Sequence, residues 1–435
     1  MHKSTITPGS GCKPCLTRIA AVLLVMLILR GAAFGYSVLT HEEIVDLLWT
    51  SEIRPLILAR FPGLTDQQIK EAHAYAYGGS VIQDLGYYPF GNQEFSNLVH
   101  YVRSGDFVLE LLAQSRDANE YAFALGALSH YTADINGHPA VNQSVAIHYP
   151  KLRSEFGPFV LYAEDRTAHL KTEFGFDTLQ VAKNRYAPEQ YHDFIGFMVA
   201  EPLLERTFPV IYGMELKDVL KHEDLSVGSF RFAVSRVIPE MTQVALQLHK
   251  KDLIKETPDF AREKFLYRLS RSDYEREWGK TYTKPGVGTR ILAALFRFIP
   301  KVGPFKGFGF NNPTPQTEDL YIKSIDTTVD RYRAFLEEVR AGTLTLPNCD
   351  LDSGSNTKGG EYSLADETYA NLLAELSARK FDQTSPKLRD DILAFYADPS
   401  LPIVTKTDPV RWQKVQVDVG QLQSMTSSSS GVAAP

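Results

Sequence analysis

The chain has 435 residues, of which 44% are hydrophobic and 23% charged, which is enough length for two domains with ample cores and an ordinary composition for a soluble globular protein. A formal net charge of −6 gives no general attraction to a nucleic-acid backbone, so only a local basic patch could serve that purpose. Internal repeats, a P-loop and a dinucleotide-binding glycine motif are all absent from the sequence.

The first 35 residues differ from the rest. They carry Lys3, Lys13, Arg18 and Arg30 and no acid, around the apolar run 19–29. That run is too short to cross a bilayer and suits a signal-peptide core, so an exported protein, periplasmic or secreted, is expected. The small residues Ala33 and Gly35 offer a cleavage site before Tyr36. A signal anchor that stays attached is the weaker alternative. Cleavage would remove four positive charges and take the net charge from −6 to −10. It would also remove Cys12 and Cys15, leaving Cys349 alone and the mature chain without an internal disulfide.

In chain order, 36–49 reads as a helix with Thr40 as N-cap, followed by Glu42 and Glu43 in its first turn and His41 at its start. A helix over 66–77 follows, with Thr65 as N-cap after the Pro62-Gly63 turn. Then comes a loop with Asp84 in an apolar neighbourhood, where an unpaired carboxylate is costly, and the aromatic stretch 87–90. That stretch reads as core packing before it reads as the rim of a site. Residues 95–114 are predicted helical and carry His100.

The stretch 122–142 is the most informative in the chain. Its apolar, small-residue part, 120–133, has no proline and reads as a buried helix, with Gly137 and Pro139 expected to end it. His130 and Asp134, four apart, share a face, and His138 continues over its end. A longer connection, 141–158, is expected next, then a helix over 159–174 in which His169 and Glu173 repeat the four-residue spacing. Residues 188–220, with interruptions, and 225–250 complete an all-α block.

No histidine occurs beyond residue 251, which marks off a second region, placed at 255–418 after a block at 36–254. It holds amphipathic helices over 257–278, 317–340 and 363–379. The second is stopped by Gly342, and the third opens with Ser363 and Asp366 as a capping box. Between the first two lies 284–310, with five basic residues, no acid and several bulky apolar ones. It is read equally as a peripheral membrane contact or as a segment buried against the first block. Residues 350–361 match a calcium loop poorly and read as a flexible solvated loop. The Ser-rich end, 419–435, reads as a disordered tail.

Imidazole and carboxylate are the zinc ligands available without thiolate. A single His pair would read as satisfied core histidines. Two such pairs plus His138, among only 11 histidines, favour a metal. His73, His148, His192, His222 and His249 lack partners at ligand spacing and read as surface or structural.

With these residues in order, the chain resembles the trinuclear zinc phosphoesterases, the zinc-dependent phospholipase C family that also includes zinc nucleases active on single strands. Within it the resemblance is strongest to the catalytic domain of glycosylphosphatidylinositol-specific phospholipase D. The segments that carry it are YSVLTHEEI around His41, GGSVIQDLGYYP around Asp84 and SHYTADINGH around His130, within 36–250. The resemblance implies an all-α fold and three zinc ions. Asp84, His100, His130 and Asp134 would hold the first. Asp134 would bridge to a second, completed by His41 and by the amine and carbonyl of Tyr36. His138, His169 and Glu173 would hold the third. It further implies phosphodiester hydrolysis by metal-activated hydroxide, with Asp84 as the candidate to orient the attacking water or act as base.

Three readings follow. The leading one is a secreted zinc phospholipase acting on a phospholipid or lipid-anchored substrate, with no nucleic-acid partner. The second is a zinc-dependent single-strand nuclease or nucleotidase, and the third a non-catalytic protein stabilised by zinc.

Overall fold

The computed structural model describes residues 38–182, 197–234 and 311–429. Tyr36, the leader, the stretch 284–310 and the 254/255 boundary lie outside the described residues.

The first region contributes α1 (Val38–Leu48), α2 (Arg54–Arg60), α3 (Asp66–Ser80), α4 (Gln93–Tyr101), α5 (Ser104–Gln114), α6 (Ala118–His148), α7 (Pro150–Phe156), α8 (Arg166–Ala182), α9 (Glu201–Tyr212), α10 (Leu216–Val219) and α11 (Glu223–Phe232). After residue 310 come α12 (Pro315–Ala341), a hairpin of β1 (Cys349–Asp350) and β2 (Ser355–Asn356), α13 (Ser363–Ala378), α14 (Pro386–Phe395) and α15 (Pro409–Ser429). The fold is all-α. Among the described residues, no helix is long and apolar enough to cross a membrane.

Helix α6 is the axis of the fold. Most of its 31 residues are buried, the polar His130, Asp134 and His138 among them, so burial rather than amphipathicity drives it. Glycines let its neighbours close in. A Cβ on Gly126 would lie 2.1 Å from the carbonyl oxygen of Ala76, and one on Gly79 would lie 1.9 Å from that of Phe123. Helices α3 and α6 therefore meet backbone to backbone, a contact no larger residue permits.

The expected break at Gly137 and Pro139 does not occur. Proline removes only the amide that would bond the carbonyl of Ile135, and the chain stays helical to His148. That same carbonyl is approached by Gly354, where a Cβ would stand 2.5 Å away. Gly354 has φ +73°, so both its conformation and its surroundings demand glycine.

Other boundaries also differ from expectation. The predicted helix over 95–114 divides where Arg103 adopts φ 53°, and Gly105 then packs on the carbonyl of Pro347. Helix α8 starts at Arg166 because Asp165 caps it, its Oδ1 accepting from the Ala168 amide at 2.8 Å. Thr40 is no N-cap, since Asp177 serves the start of α1 from α8. Ser363 and Asp366 form no capping box, because Asp366 accepts from the amides of Gly360 and Val404 instead. Thr65 does cap α3 within a reciprocal box with Gln68, and Gly342 does end α12 at φ 70°. The last helix continues through Ser429 and buries Val415 and Leu422, so the first half of the expected tail is folded.

The region beyond residue 310 shares the core of the first. Ile325, Val329, Tyr332 and Leu336 of α12 lie in the same buried cluster as Leu125 and Leu128 of α6. The Tyr332 hydroxyl donates to the carbonyl of Leu125 at 2.8 Å. Residues 350–361 are no flexible loop. The hairpin pairs Cys349 with Asn356, and Asp350 and Asp352 are each only 3% exposed.

Candidate metal centre

Every described residue of the expected ligand set is buried and points into one cluster. His41 comes from α1, Asp84 from the 3-10 turn Ile82–Tyr87, His100 from α4, His130, Asp134 and His138 from α6, and His169 and Glu173 from α8. Asp134 is the hub. Its Oδ2 lies 3.0 Å from Nε2 of His130 and 3.5 Å from Nε2 of His100. Its Oδ1 lies 3.5 Å from Nε2 of His41 and 3.8 Å from Nε2 of His138. Asp84 Oδ1 is 3.5 Å from His100 Nε2. Beyond the hub, Glu173 Oε1 is 2.8 Å from Nδ1 of His169 and 3.9 Å from Nε2 of His138.

Two donor groups close tightly, with all atoms in each within 4.8 Å of one another: His41, His130 and Asp134, and Asp84, His100 and His130. His138, His169 and Glu173 meet pairwise through Glu173.

Three of the rings are oriented from behind. Nδ1 of His100 bonds the carbonyl of Ser96 at 2.8 Å, and Nδ1 of His130 bonds that of Ser80 at 2.9 Å. A carbonyl can only accept, so each Nδ1 carries the proton and each Nε2 presents its lone pair to the cluster. His169 is reversed: its Nε2 bonds Oδ1 of Asn142 at 2.8 Å, and its Nδ1 faces Glu173.

The front of the cluster is unsatisfied. Both oxygens of Asp84, Asp134 and Glu173, with Nε2 of His130, are buried with no hydrogen-bond partner. Buried acceptors massed together are costly unless a cation joins them. The residues present therefore fit a metal, and an all-nitrogen-and-oxygen set suits zinc.

The electrostatics show the same crowding. Burial, then the neighbouring imidazoles, hold His41 well below its ordinary pKa. Burial opposes a charge on His138, but Asp134 and Asp352 outweigh it and raise the imidazole to about 9. His169 falls to about 3 through burial and the charge of His138. Burial raises Glu173 well above its ordinary value, with Asp84 and Asp134 adding to it. Asp134 is held well below the carboxylate range because His130 and His138 overcome its burial. Competition of this kind among neighbours marks functional sites.

His73 is structural, as its spacing implied. It is buried, stacks on Trp49 at 3.7 Å, and shares Asp46 with the Tyr77 hydroxyl. His148 is partly buried at the end of α6. Tyr87, of the aromatic stretch, lies beside the cluster with its ring 6.0 Å from that of His100.

Sequence reasoning missed Asn142, Tyr101, Tyr362 and Asp352. Asn142 follows His138 by four residues, a spacing that was available to read. Asp352 approaches Nδ1 of His138 to 3.3 Å from far along the chain, and no local pattern marks it.

Comparison with known proteins adds one match: residues 40–221 fit the family model described as zinc dependent phospholipase C. No curated protein and no solved structure matches the chain. The matched span holds every described histidine and carboxylate of the cluster apart from Asp352. Residues 40–221 are thus a zinc-dependent phospholipase C domain, and the chain that carries it is an enzyme of the phosphodiester-hydrolysing class.

Proposed function

We propose that the chain is an exported phospholipase that cleaves the phosphodiester of a phospholipid or lipid-linked headgroup at a three-zinc centre. The ligands would be Tyr36 through its amine and carbonyl, His41, Asp84, His100, His130, Asp134, His138, His169 and Glu173. The observation that carries this reading is the convergence of three carboxylates and five imidazoles on one buried cluster, with the carboxylate oxygens at its front lacking hydrogen-bond partners. Zinc bound there supplies Lewis acidity and a nucleophile at neutral pH.

The protein's own groups divide the remaining work. Asp134 offers one oxygen to each side of the cluster and is suited to bridge two ions. Asp84 directs one oxygen towards His100 and has a second without a protein partner, which is suited to orient the attacking water or to take its proton. The carbonyls of Ser80 and Ser96 hold the imidazoles in one tautomer through the reaction. The stretch 284–310 is the segment proposed to meet the lipid surface.

The test is a set of parallel assays of the full-length, leader-free chain on phosphatidylcholine vesicles, a lipid-anchored protein and single-stranded DNA. Chelator-sensitive release from a lipid substrate is expected, with phosphocholine or free choline identifying the bond cut. Release of nucleotides from DNA without lipid cleavage would overturn the reading in favour of a nuclease. Replacing Phe296 and Phe298 with Ser should weaken vesicle binding and spare a soluble short-chain substrate. Equal loss on both substrates would remove the membrane role.

A further inference from the structure

One residue outside the matched segment holds both histidines of the third group. Asp352 lies just after β1 in a turn closed by its own amide, which donates to Oδ1 of Asp350 at 3.0 Å. Its Oδ2 accepts from the hydroxyl of Tyr101 at 2.7 Å and from that of Tyr362. Its Oδ1 faces Nδ1 of His138 at 3.3 Å. Its backbone carbonyl accepts from Nδ2 of Asn142 at 2.9 Å, and Oδ1 of Asn142 bonds Nε2 of His169 at 2.8 Å.

Donor and acceptor chemistry then assigns a proton to each ring. The Asn142 amide must place its NH2 on the Asp352 carbonyl, so its oxygen faces His169 and requires the proton on Nε2. Nδ1 of His169 is left bare toward Glu173. The Asp352 carboxylate, with two phenols on Oδ2, offers only an acceptor at Oδ1. His138 therefore keeps a proton on Nδ1, which lies at ion-pair distance from Asp352 without an aligned hydrogen bond, and Nε2 is the nitrogen it turns toward Asp134 and Glu173. A carboxylate behind a liganding histidine sets its orientation and raises its donor strength.

We infer that Asp352 is a positioning residue for the third metal. It acts on His138 through its side chain and on His169 through its carbonyl and Asn142. The inference rests on the ligand set proposed above. It makes the region beyond residue 310 part of the metal centre. Gly354, two residues on and pressed against the carbonyl of Ile135, fixes the hairpin on α6 one turn from His138.

The experiment measures zinc per chain across a chelator-buffered Zn2+ series for the full-length wild type, Asp352→Ala, Asp352→Asn and Asn142→Asp, with the melting temperature of each metal-free protein alongside. Wild type should hold three zinc ions. Asp352→Ala should keep two and bind the third about 10–100-fold more weakly, the usual cost of losing such a partner. Asn142→Asp, which cannot donate to the Asp352 carbonyl, should also lose affinity at one site only. Asp352→Asn keeps an acceptor for His138, so it should fall between wild type and Ala, and it carries the test if the Ala variant does not fold. Three zinc in wild type with unchanged third-site affinity in the variants would overturn the inference alone. Loss of all three ions in step with a lower metal-free melting temperature would do the same, reducing Asp352 to a packing residue. Fewer than three ions in wild type would overturn the ligand set, and this inference with it.

Discussion

Asp177 on α8 accepts hydrogen bonds from the amides of Leu39 and Thr40 at 3.1 and 3.2 Å, and from the Thr40 hydroxyl at 2.8 Å. The start of α1 is therefore held by a helix distant in sequence, with a negative charge at its positive end. The Thr40 hydroxyl also meets that of Tyr321, whose ring stacks on Phe176, so α1, α8 and α12 are pinned together beside His41. Asp177→Ala strands buried donors and should cost about 2–4 kcal/mol in urea unfolding. Asp177→Asn retains one acceptor and should cost roughly half of that. Zinc content should fall in the Ala variant as His41 loses its anchor. Unchanged stability in both variants would contradict this role.

The same anchor bears on the proposed ligand Tyr36, which lies two residues before α1. An α-amine has a pKa of about 7.7–8.0, so giving up its proton to a metal at neutral pH costs only about 1 kcal/mol. The same nitrogen within a peptide bond is planar and cannot donate. A chain starting at Tyr36 should carry three zinc ions and be active. One extended by a few residues at its N-terminus should lose one ion and its activity. Full activity and three ions in the extended form would rule the idea out.

Gly126 tests the contact between α3 and α6. A methyl there would collide with the backbone of Ala76 and Ser80, and Ser80 is the residue whose carbonyl holds His130. Gly126→Ala should cost about 1–3 kcal/mol by overpacking, and zinc affinity should drop with it. Gly228, in α11, has nothing within 4 Å of its added Cβ. Gly228→Ala should instead stabilise by up to about 1 kcal/mol. Thermal melts of the two variants give opposite signs if the packing is as described.

Glu223 supplies a pH test away from the metals. Burial, then the charges of Glu205, Glu201 and Asp224, push its carboxyl from 4.5 up to about 7. The folded state then keeps a proton that the unfolded chain releases near pH 4.5. The benefit of that proton is present below pH 4.5 and is lost as pH rises to 7, above which the folded state carries a poorly solvated charge. Glu223→Gln removes the charge. It should stabilise the fold relative to wild type at pH 8, by no more than about 1 kcal/mol once solvent screening is allowed for, and leave the melting temperature nearly unchanged at pH 4. An equal difference at both pH values would contradict the assignment.

What could be read from the sequence was local. His130 with Asp134, and His169 with Glu173, declare themselves because four residues make one helical turn, and the small apolar residues around His130 announce a buried helix. The all-α class follows from the same periodicities. The continuity of α6 through Pro139 was not legible, because it depends on whether a tertiary neighbour tolerates a freed carbonyl at Ile135. Asp352 was hidden for a related reason: its role arises only when the hairpin folds onto α6, and its own neighbourhood reads as a polar loop. Asp177 likewise looks like any helical aspartate until α1 docks on it.

Anomalous X-ray scattering across the zinc edge, from crystals of the chain starting at Tyr36, measures directly whether this cluster holds three zinc ions. Three peaks are expected: among Asp84, His100 and His130, beside His41 and Asp134, and among His138, His169 and Glu173, with none at His73. A single peak in the cluster, or none, would contradict the three-zinc centre.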